Sequence, residues 1–75
     1  MEYDESKIDD AALALLSLTL HDEVRAWKNL DWDVMNRLHE KGMIADPVNK
    51  AKSVIFTKDG LQESERLLKE LFGKH

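Results

Sequence analysis

Cysteine is absent from this chain of 75 residues, and proline, glycine and aromatic residues are scarce. Without cysteine there are no disulfide bridges, no thiolate metal ligands and no cysteine nucleophile, and a reducing compartment is permitted. The three glycines are isolated from one another, so no glycine-rich loop is present to hold a nucleotide phosphate. No apolar run is long enough to cross a membrane, and the start at Met1 lacks the features of a secretion signal. These absences predict a soluble, cytoplasmic protein with no membrane partner.

The formal net charge of -4 is concentrated at the N-terminus. Residues 1–10 carry five acidic residues and one lysine, which is the whole net charge, so the remaining chain is neutral. Lys50, Lys52 and Lys58 follow Pro47 with no acid between them. The chain therefore combines an acidic N-terminus with one modest basic loop.

The first part of the chain indicates a tail followed by a helix. Residues 1–6 predict an acidic flexible tail, so residues 7–75 form a single folded domain. From Lys7 to Leu20, apolar residues recur at helical spacing: Ile8, Ala12, Leu15, Leu16 and Leu20. Leu13 and Leu18 fall outside this stripe. A helix that is apolar around so much of its circumference is either central to the core or has a second buried contact, such as a partner subunit.

Two further helical segments are indicated before the middle of the chain. The segment His21–Leu30 begins with acidic residues and ends with basic ones, an order that the helix dipole favours, and this predicts one or two helical turns. Asp31 is placed to cap a helix from Trp32 to Lys41, which Gly42 ends. Three apolar residues of that helix are expected to point inward: Val34, Met35 and Leu38.

A hairpin and a last helix are indicated after Gly42. The segments Met43–Asp46 and Ser53–Thr57 flank the turn-forming stretch PVNKAK and predict two antiparallel strands. Thr57 is placed to accept a hydrogen bond from the amide of Gly60, so the second strand leads directly into a helix. The apolar stripe of this helix is narrow and ends before Gly73: Leu61, Ser64, Leu68, Leu71 and Phe72, with Leu67 beside it.

This order of elements resembles a winged helix-turn-helix domain. Val34–Phe72, about half of the chain, is similar to regulators of the multiple-antibiotic-resistance type. Arg37–Ile44, RLHEKGMI, resembles the end of their recognition helix, and Thr57–Gly60 resembles the start of their last helix, with Lys58 in place of one acid. The resemblance implies a mostly helical α+β fold with three N-terminal helices, a two-stranded wing and a C-terminal helix.

The whole chain also resembles a family of short bacterial proteins described only as a domain of unknown function. The resemblance is strongest over RAWKNLDWDVMNRLHEKGMIADPVNKAKSVIFT. It implies a bacterial, cytoplasmic origin and no particular activity.

One candidate site is a nucleic-acid interface on the third helix and the wing. Its residues are Asn36 and Arg37, which suit base edges, and Lys50 and Lys52, which suit phosphates. Asp33 and Glu40 share the exposed helix face with Arg37, pair with it at helical spacing and repel phosphate. The weak basic character favours a solvated helix face over a DNA-binding surface.

The other candidate site is a protein interface formed by surplus apolar residues. It comprises Leu13, Leu18 and Leu20 of the first helix, Leu67 and Leu71 of the last, and Trp27 and Trp32. The alternative is that a single core absorbs the leucines and that both indoles pack inside the helix-turn-helix corner. We favour burial for the tryptophans and dimerisation for the leucines.

Metal binding and catalysis have little support in the sequence. His21, His39 and His75 are not joined by a metal-ligand spacing, and no nucleophile and base are grouped in a pattern typical of an active site. We therefore predict no enzyme activity, no cofactor and no small-molecule substrate. The function predicted is a binding module for protein interaction or homodimeric assembly, and the alternative is a DNA-binding transcriptional regulator of the winged-helix type.

Overall fold

Three α-helices and one two-stranded antiparallel sheet make up the described part of the chain in a computed structural model, which covers residues 2–28, 31–48 and 52–74. The elements in chain order are helix α1, Glu5–Leu16; a 3-10 turn, Ser17–Thr19; strand β1, Arg25–Trp27; helix α2, Trp32–Glu40; strand β2, Ser53–Ile55; and helix α3, Lys58–Phe72. This confirms a small α+β fold.

The helix predicted within His21–Leu30 is wrong for the residues that the structure describes, His21–Lys28. Strand β1 occupies this segment and pairs antiparallel with β2, with Ala26 opposite Val54. Ala26 is buried while both of its neighbours in the strand are exposed, which is the alternation of extended backbone. Pairing with a strand that is distant in sequence outweighs the weak local preference for a helix. Among the described residues, two α-helices therefore precede β2, whereas three were predicted.

A tight turn leads from the 3-10 segment into β1. Asp22 and Glu23 have φ angles of 47° and 70°, in the left-handed region that few residues other than glycine adopt. This turn reverses the chain, so the amide of His21 donates to the carbonyl of Arg25 at 2.7 Å and the reciprocal bond measures 2.9 Å. Acidic residues at positions 22 and 23 therefore form a turn before β1 and not the start of a helix.

The predicted first arm of the hairpin is reduced to one bridge. Ile44 lies opposite Phe56 in an isolated antiparallel bridge, and the amide of Ala45 donates to the carbonyl of Ile55 at 2.8 Å. The ladder of β2 is formed with β1 instead. Asn49, Lys50 and Ala51, at the predicted tip of the wing, lie outside the described residues.

Helix α1 begins earlier and ends earlier than predicted. The side chain of Asp4 accepts from the amide of Lys7 at 3.1 Å, so the helix starts at Glu5 and includes the last two residues of the predicted tail. It ends at Leu16 and not at Leu20. A short polar side chain at the N-cap satisfies an otherwise free amide, which explains the earlier start.

The buried face of α1 is rotated relative to the predicted stripe. Ile8 and Leu15 are partly exposed to solvent, whereas Leu13 is buried. Because α1 has apolar residues on several sides, their spacing alone does not determine which side faces the core. Packing against α2 and α3 determines the buried side, and Asp9 lies on it.

Helix α2 agrees with its prediction except at its cap. It spans Trp32–Glu40, and Gly42 follows it with φ of 78°, the left-handed conformation expected after a helix end. Asp31 occupies the N-cap position, but its side chain makes no capping hydrogen bond. The prediction of the position is confirmed and that of the bond is wrong.

The start of α3 is fastened to the segment that follows α2. The hydroxyl of Thr57 accepts from the amide of Gly60 at 2.9 Å, as predicted. The same hydroxyl lies 2.6 Å from the carbonyl of Gly42 and 3.1 Å from that of Met43, and the amide of Thr57 also donates to Met43 at 3.0 Å. One residue thus caps α3 and joins it to the end of α2.

The core lies where α1 and α3 meet the inner face of the sheet and α2. Its buried apolar residues are Ala12, Leu13, Ala14, Leu16, Ala26, Val34, Met35, Leu38, Ile44, Val54, Phe56 and Leu67. The packing of α1 on α3 is the most extensive contact between elements. The two helices thereby bring their outer sides together along one surface of the molecule.

The Thr57→Val variant tests the junction between α2 and α3. Valine keeps the shape of threonine and removes the hydroxyl, which costs about 1 kcal/mol for the cap and about 1 kcal/mol for the bond to the carbonyls of residues 42 and 43. We expect the free energy of unfolding in urea to fall by about 2 kcal/mol. Thr57→Ser retains the hydroxyl and is the control. A valine variant as stable as the serine variant would contradict this role.

Candidate functional site

A group of four charged side chains joins α1 to α2. The side chain of Asp9 is only 1% exposed. Nε of Arg37 lies 3.0 Å from Oδ1 and 2.9 Å from Oδ2 of the Asp9 carboxylate. Nη2 of Arg37 lies 2.9 Å from Oδ1. Lys41 Nζ lies 2.9 Å from the same carboxylate, and Glu5 contacts Arg37 Nη1 at 2.7 Å. We call Glu5, Asp9, Arg37 and Lys41 the ion cluster.

The ion cluster keeps Asp9 ionised in spite of its burial. Burial alone would raise the pKa of the Asp9 carboxyl group, because it disfavours the charged form. Hydrogen bonds and Coulomb attraction from Arg37 and Lys41 outweigh burial, so the pKa lies below its ordinary value. The cluster therefore holds α1 against α2 with a buried charge that is fully paired.

The ion cluster removes the main cation from the predicted nucleic-acid face. Arg37 was expected to be exposed beside Asp33 and Glu40, yet its side chain reaches α1 and is only 25% exposed. Asn36 and Lys52 are exposed, and Lys50 lies outside the described residues. Of the four predicted residues, Asn36 and Lys52 are therefore the two that the structure describes as exposed.

The outer sides of α1 and α3 form two apolar grooves that share Phe72, and we call the two together the outer seam. Its apolar residues are Ala11, Leu15 and Leu18 from α1 and the turn after it, and Leu68, Leu71 and Phe72 from α3. Leu18 is 67% exposed and Phe72 is 50% exposed. Lys7 and Asp10 lie at one end of the seam, and Lys69 lies beside Leu18 and Leu68.

The structure divides the predicted protein interface. Leu13 and Leu67 are buried in the core, so they contribute no surface and their assignment to an interface is wrong. Leu18 and Leu71 are exposed in the outer seam, and Leu20 is exposed but does not line it. Leu15 and Phe72 belong to the seam and were missed, because the predicted stripes assigned both of them to the core.

Both tryptophans are half exposed, which contradicts their predicted burial. Trp27 is 51% exposed and Trp32 is 53% exposed. The ring of His21 stacks on Trp27 at a centroid distance of 4.4 Å, and the ammonium of Lys28 lies 5.5 Å from the centroid of Trp32. Because β1 replaces the predicted helix, Trp27 projects from the outer face of the sheet and not into a helical corner.

The two described histidines have structural neighbours and lie apart. Nδ1 of His21 is 3.0 Å from the carbonyl of Thr19, and Nδ1 of His39 is 3.1 Å from that of Ile44. Within residues 2–28, 31–48 and 52–74, no group of three histidine, aspartate or glutamate residues is arranged to hold a metal ion. No helix in this part of the chain is long and apolar enough to cross a membrane.

The geometry defines a small α+β protein with a paired ion cluster, an apolar outer seam and two open indoles. Residues 4–74 match the model of a family described as a domain of unknown function, DUF6429. The chain belongs to this family. It is similar to the uncharacterized protein y4hR of Sinorhizobium fredii (strain NBRC 101917 / NGR234), with 61% identity over 72 residues that cover 96% of this chain and 97% of that protein. No solved structure matches the chain.

Proposed function

We propose that this protein is a small, non-enzymatic binding module that assembles as a homodimer through its outer seam. The observation that carries the proposal is the pair of apolar grooves between α1 and α3 that share Phe72, in which Leu18 and Phe72 leave half or more of their surface in water. A soluble monomer rarely leaves a contiguous apolar patch open unless the patch contacts a partner. We commit to a second copy of this chain as that partner.

The charges around the outer seam are balanced under twofold symmetry. Lys7 and Asp10 lie together at one end of the seam, and Lys69 lies beside Leu18. A twofold axis through the middle of the seam exchanges its ends, so one opposite and one like charge approach Lys69 of the other protomer. The apolar area of the seam, and not its rim charges, therefore favours the dimer.

The size of the seam sets the expected affinity. Leu15, Leu18, Leu71 and Phe72 are each about half exposed, and full burial of such a side chain is worth about 1.5–3 kcal/mol. Eight half-exposed side chains in two protomers therefore contribute roughly 8 kcal/mol, which is about 4 kcal/mol more than the lower bound of what association costs. We expect a weak, reversible dimer with a dissociation constant of about 1 mM.

Sedimentation velocity over a wide concentration range tests the proposal. We expect the sedimentation coefficient of the native chain to rise between about 50 µM and roughly 2 mM, the range in which a dimer with a dissociation constant of about 1 mM becomes populated. Leu18→Glu and Phe72→Glu place charges in the seam and should keep the protein monomeric across this range.

Val48→Glu is the matched control, because Val48 is also strongly exposed and does not line the outer seam. It should associate as the native chain does. A native chain that stays monomeric at every concentration, or seam variants that associate like the control, would contradict the proposal.

A further inference from the structure

The first half of α1, residues 5–11, is attached to the rest of the molecule at one buried residue. Of these seven residues, all of which the structure describes, only Asp9 is buried, and Ile8 is partly exposed. In the second half of the helix, four of the five residues 12–16 are buried. We call residues 5–11 the strap. The second half of α1 is therefore held by apolar packing, whereas the strap has little apolar surface in the core.

The ion cluster attaches the strap to α2. The Asp9 carboxylate lies 2.9 Å from Lys41 Nζ and within 3.0 Å of two nitrogens of Arg37, and Glu5 lies 2.7 Å from Arg37 Nη1. Among the residues that the structure describes, no other side-chain hydrogen bond or salt bridge joins the strap to another element. The position of the strap thus depends on charge.

Water reaches most of the charged groups of the ion cluster. The side chains of Arg37 and Lys41 are partly exposed, and that of Glu5 is largely exposed. Dissolved salt screens charge pairs that water can reach, but it does not screen the apolar contacts of residues 12–16. A rise in ionic strength therefore weakens the attachment of the strap and leaves the second half of α1 packed.

A released strap does not remain helical. It contains about two helical turns, and isolated helices of this length are unstable in water. The amide of Ile8 donates to the carbonyl of Asp4 at 3.1 Å, the first backbone bond of the helix. This bond and the helical bonds that follow it break when the strap unwinds, so the amides of the strap become open to solvent.

The strap also forms part of the outer seam. Lys7, Asp10 and Ala11 line the groove that contains Leu71 and Phe72, and the other groove of the seam is formed by residues outside the strap. Unwinding of the strap removes one wall of the first groove. The state of the ion cluster therefore decides whether the outer seam is complete.

We propose that the ion cluster is a salt-sensitive latch on the outer seam. In the closed form, Asp9 and Glu5 hold the strap as a helix that completes the seam. In the open form, residues 5–11 are unwound and the rest of the protein remains folded. The consequence for dimerisation rests on the proposed function of the seam, whereas the opening of the strap is a property of the single chain.

Hydrogen exchange of backbone amides, followed by NMR at about 0.1 mM, tests the latch in a mostly monomeric protein, because the expected dissociation constant is about 1 mM. The amides of Ile8 and Ala11 report on the strap. The reference is the amide of Phe56, which donates to the carbonyl of Val24 at 2.8 Å. We expect the two strap amides to exchange faster than the reference amide, since local opening requires less free energy than global unfolding.

Urea and salt distinguish opening of the strap from unfolding of the whole chain. Low concentrations of urea should leave exchange of the strap amides nearly unchanged and accelerate that of Phe56, because local opening exposes little surface. Raising the concentration of NaCl from about 10 mM to about 500 mM should accelerate exchange of the strap amides roughly threefold, as expected for partly exposed charge pairs.

Two matched arginine variants identify the ion cluster as the latch. Arg37→Gln leaves the sequence of the strap unchanged and should accelerate exchange of its amides about tenfold or more, the equivalent of one hydrogen bond to a charged group. Arg66→Gln is the control, because Arg66 also pairs with two carboxylates, but both of them, Glu63 and Glu70, lie in α3. It should leave exchange in the strap unchanged.

Strap amides that exchange at the rate of Phe56 and with its urea dependence would show that the strap unfolds only with the whole molecule, and this would overturn the latch. Equal exchange in the two arginine variants would overturn it as well. A strap that opens as expected in a chain that never associates would support the latch and contradict only the dimer.

Discussion

Replacing Gly60 with alanine is expected to lower the free energy of unfolding by about 3 kcal/mol, the upper end of the cost of overpacking. A Cβ atom at Gly60 would lie 1.7 Å from the carbonyl oxygen of Met43, and that oxygen is backbone, so it cannot rotate away. The first turn of α3 would have to separate from the segment after α2. The bonds of Thr57 to Met43 would then lengthen or break.

The sign of this effect distinguishes close packing from helix propensity. In an ordinary helix position, alanine is about 1 kcal/mol more favourable than glycine, so propensity alone predicts stabilisation. Gly42→Ala is the control, because Gly42 has a φ of 78° but no atom lies within 4 Å of the point that its Cβ would occupy. It should cost only about 1 kcal/mol, the strain of a left-handed alanine. A Gly60→Ala variant as stable as the native chain in urea would contradict the close approach.

The Asp9→Asn variant is expected to be about 2 kcal/mol less stable than the native chain at pH 7, a loss of about 10 °C in the melting temperature. Asparagine keeps the size of the side chain and removes the charge that Arg37 and Lys41 contact. The loss is smaller than for a fully buried pair, because Arg37 is 25% exposed and Lys41 is 43% exposed, so water partly solvates both cations.

The same variant makes a prediction about pH. The pKa of Asp9 lies below its ordinary value of 3.8 in the folded protein, because the bonds from Arg37 and Lys41 outweigh the effect of burial. A lowered pKa adds stability above the unfolded-state pKa, and this stability is lost as the pH falls through the folded-state pKa. The difference between native and Asp9→Asn proteins should therefore be full at neutral pH and shrink as the pH falls below about 4.

Thermal melts between neutral and acidic pH measure this difference. Asp10→Asn is the matched control, because Asp10 is the neighbouring carboxylate and is exposed. It should have little effect at any pH. A difference between the native and Asp9→Asn proteins that does not change with pH would contradict the ion cluster as its source.

The elements that the sequence predicted correctly depend on neighbouring residues. Thr57 and Gly60 are three residues apart, and the cap that they form is a local hydrogen bond. Gly42 similarly ends α2 through its own backbone conformation. The residues that form such helix starts and ends lie within one helical turn of each other, so they can be recognised from the sequence alone.

The elements that the sequence did not predict depend on partners distant in the chain. Strand β1 is extended because it pairs with β2, and no residue within His21–Lys28 indicates that partner. The contacts of α1 with α2 and α3 determine which side of α1 is buried, and they therefore determine that Asp9 is buried. One signal was present, since Asp9 continues the buried positions Ala12, Leu13 and Leu16 at helical spacing.

The candidate site was predicted in part for the same reason. Leu18 and Leu71 are exposed as an interface requires, and Leu13 and Leu67 are not. Arg37 was expected to pair within α2 and instead contacts α1. The type of each residue was informative about what it can bind, but its accessibility is decided by how the helices pack.

Self-association through the outer seam is the central claim, and disulfide trapping tests it most directly because the chain contains no cysteine. In a twofold dimer, a residue near the axis lies close to its own copy, so Phe72→Cys, at the residue that both grooves of the seam share, should form a linked dimer under mild oxidation. Val48→Cys, on another surface, should stay monomeric under the same conditions. Equal cross-linking of the two variants, or none in Phe72→Cys at high protein concentration, would contradict the account.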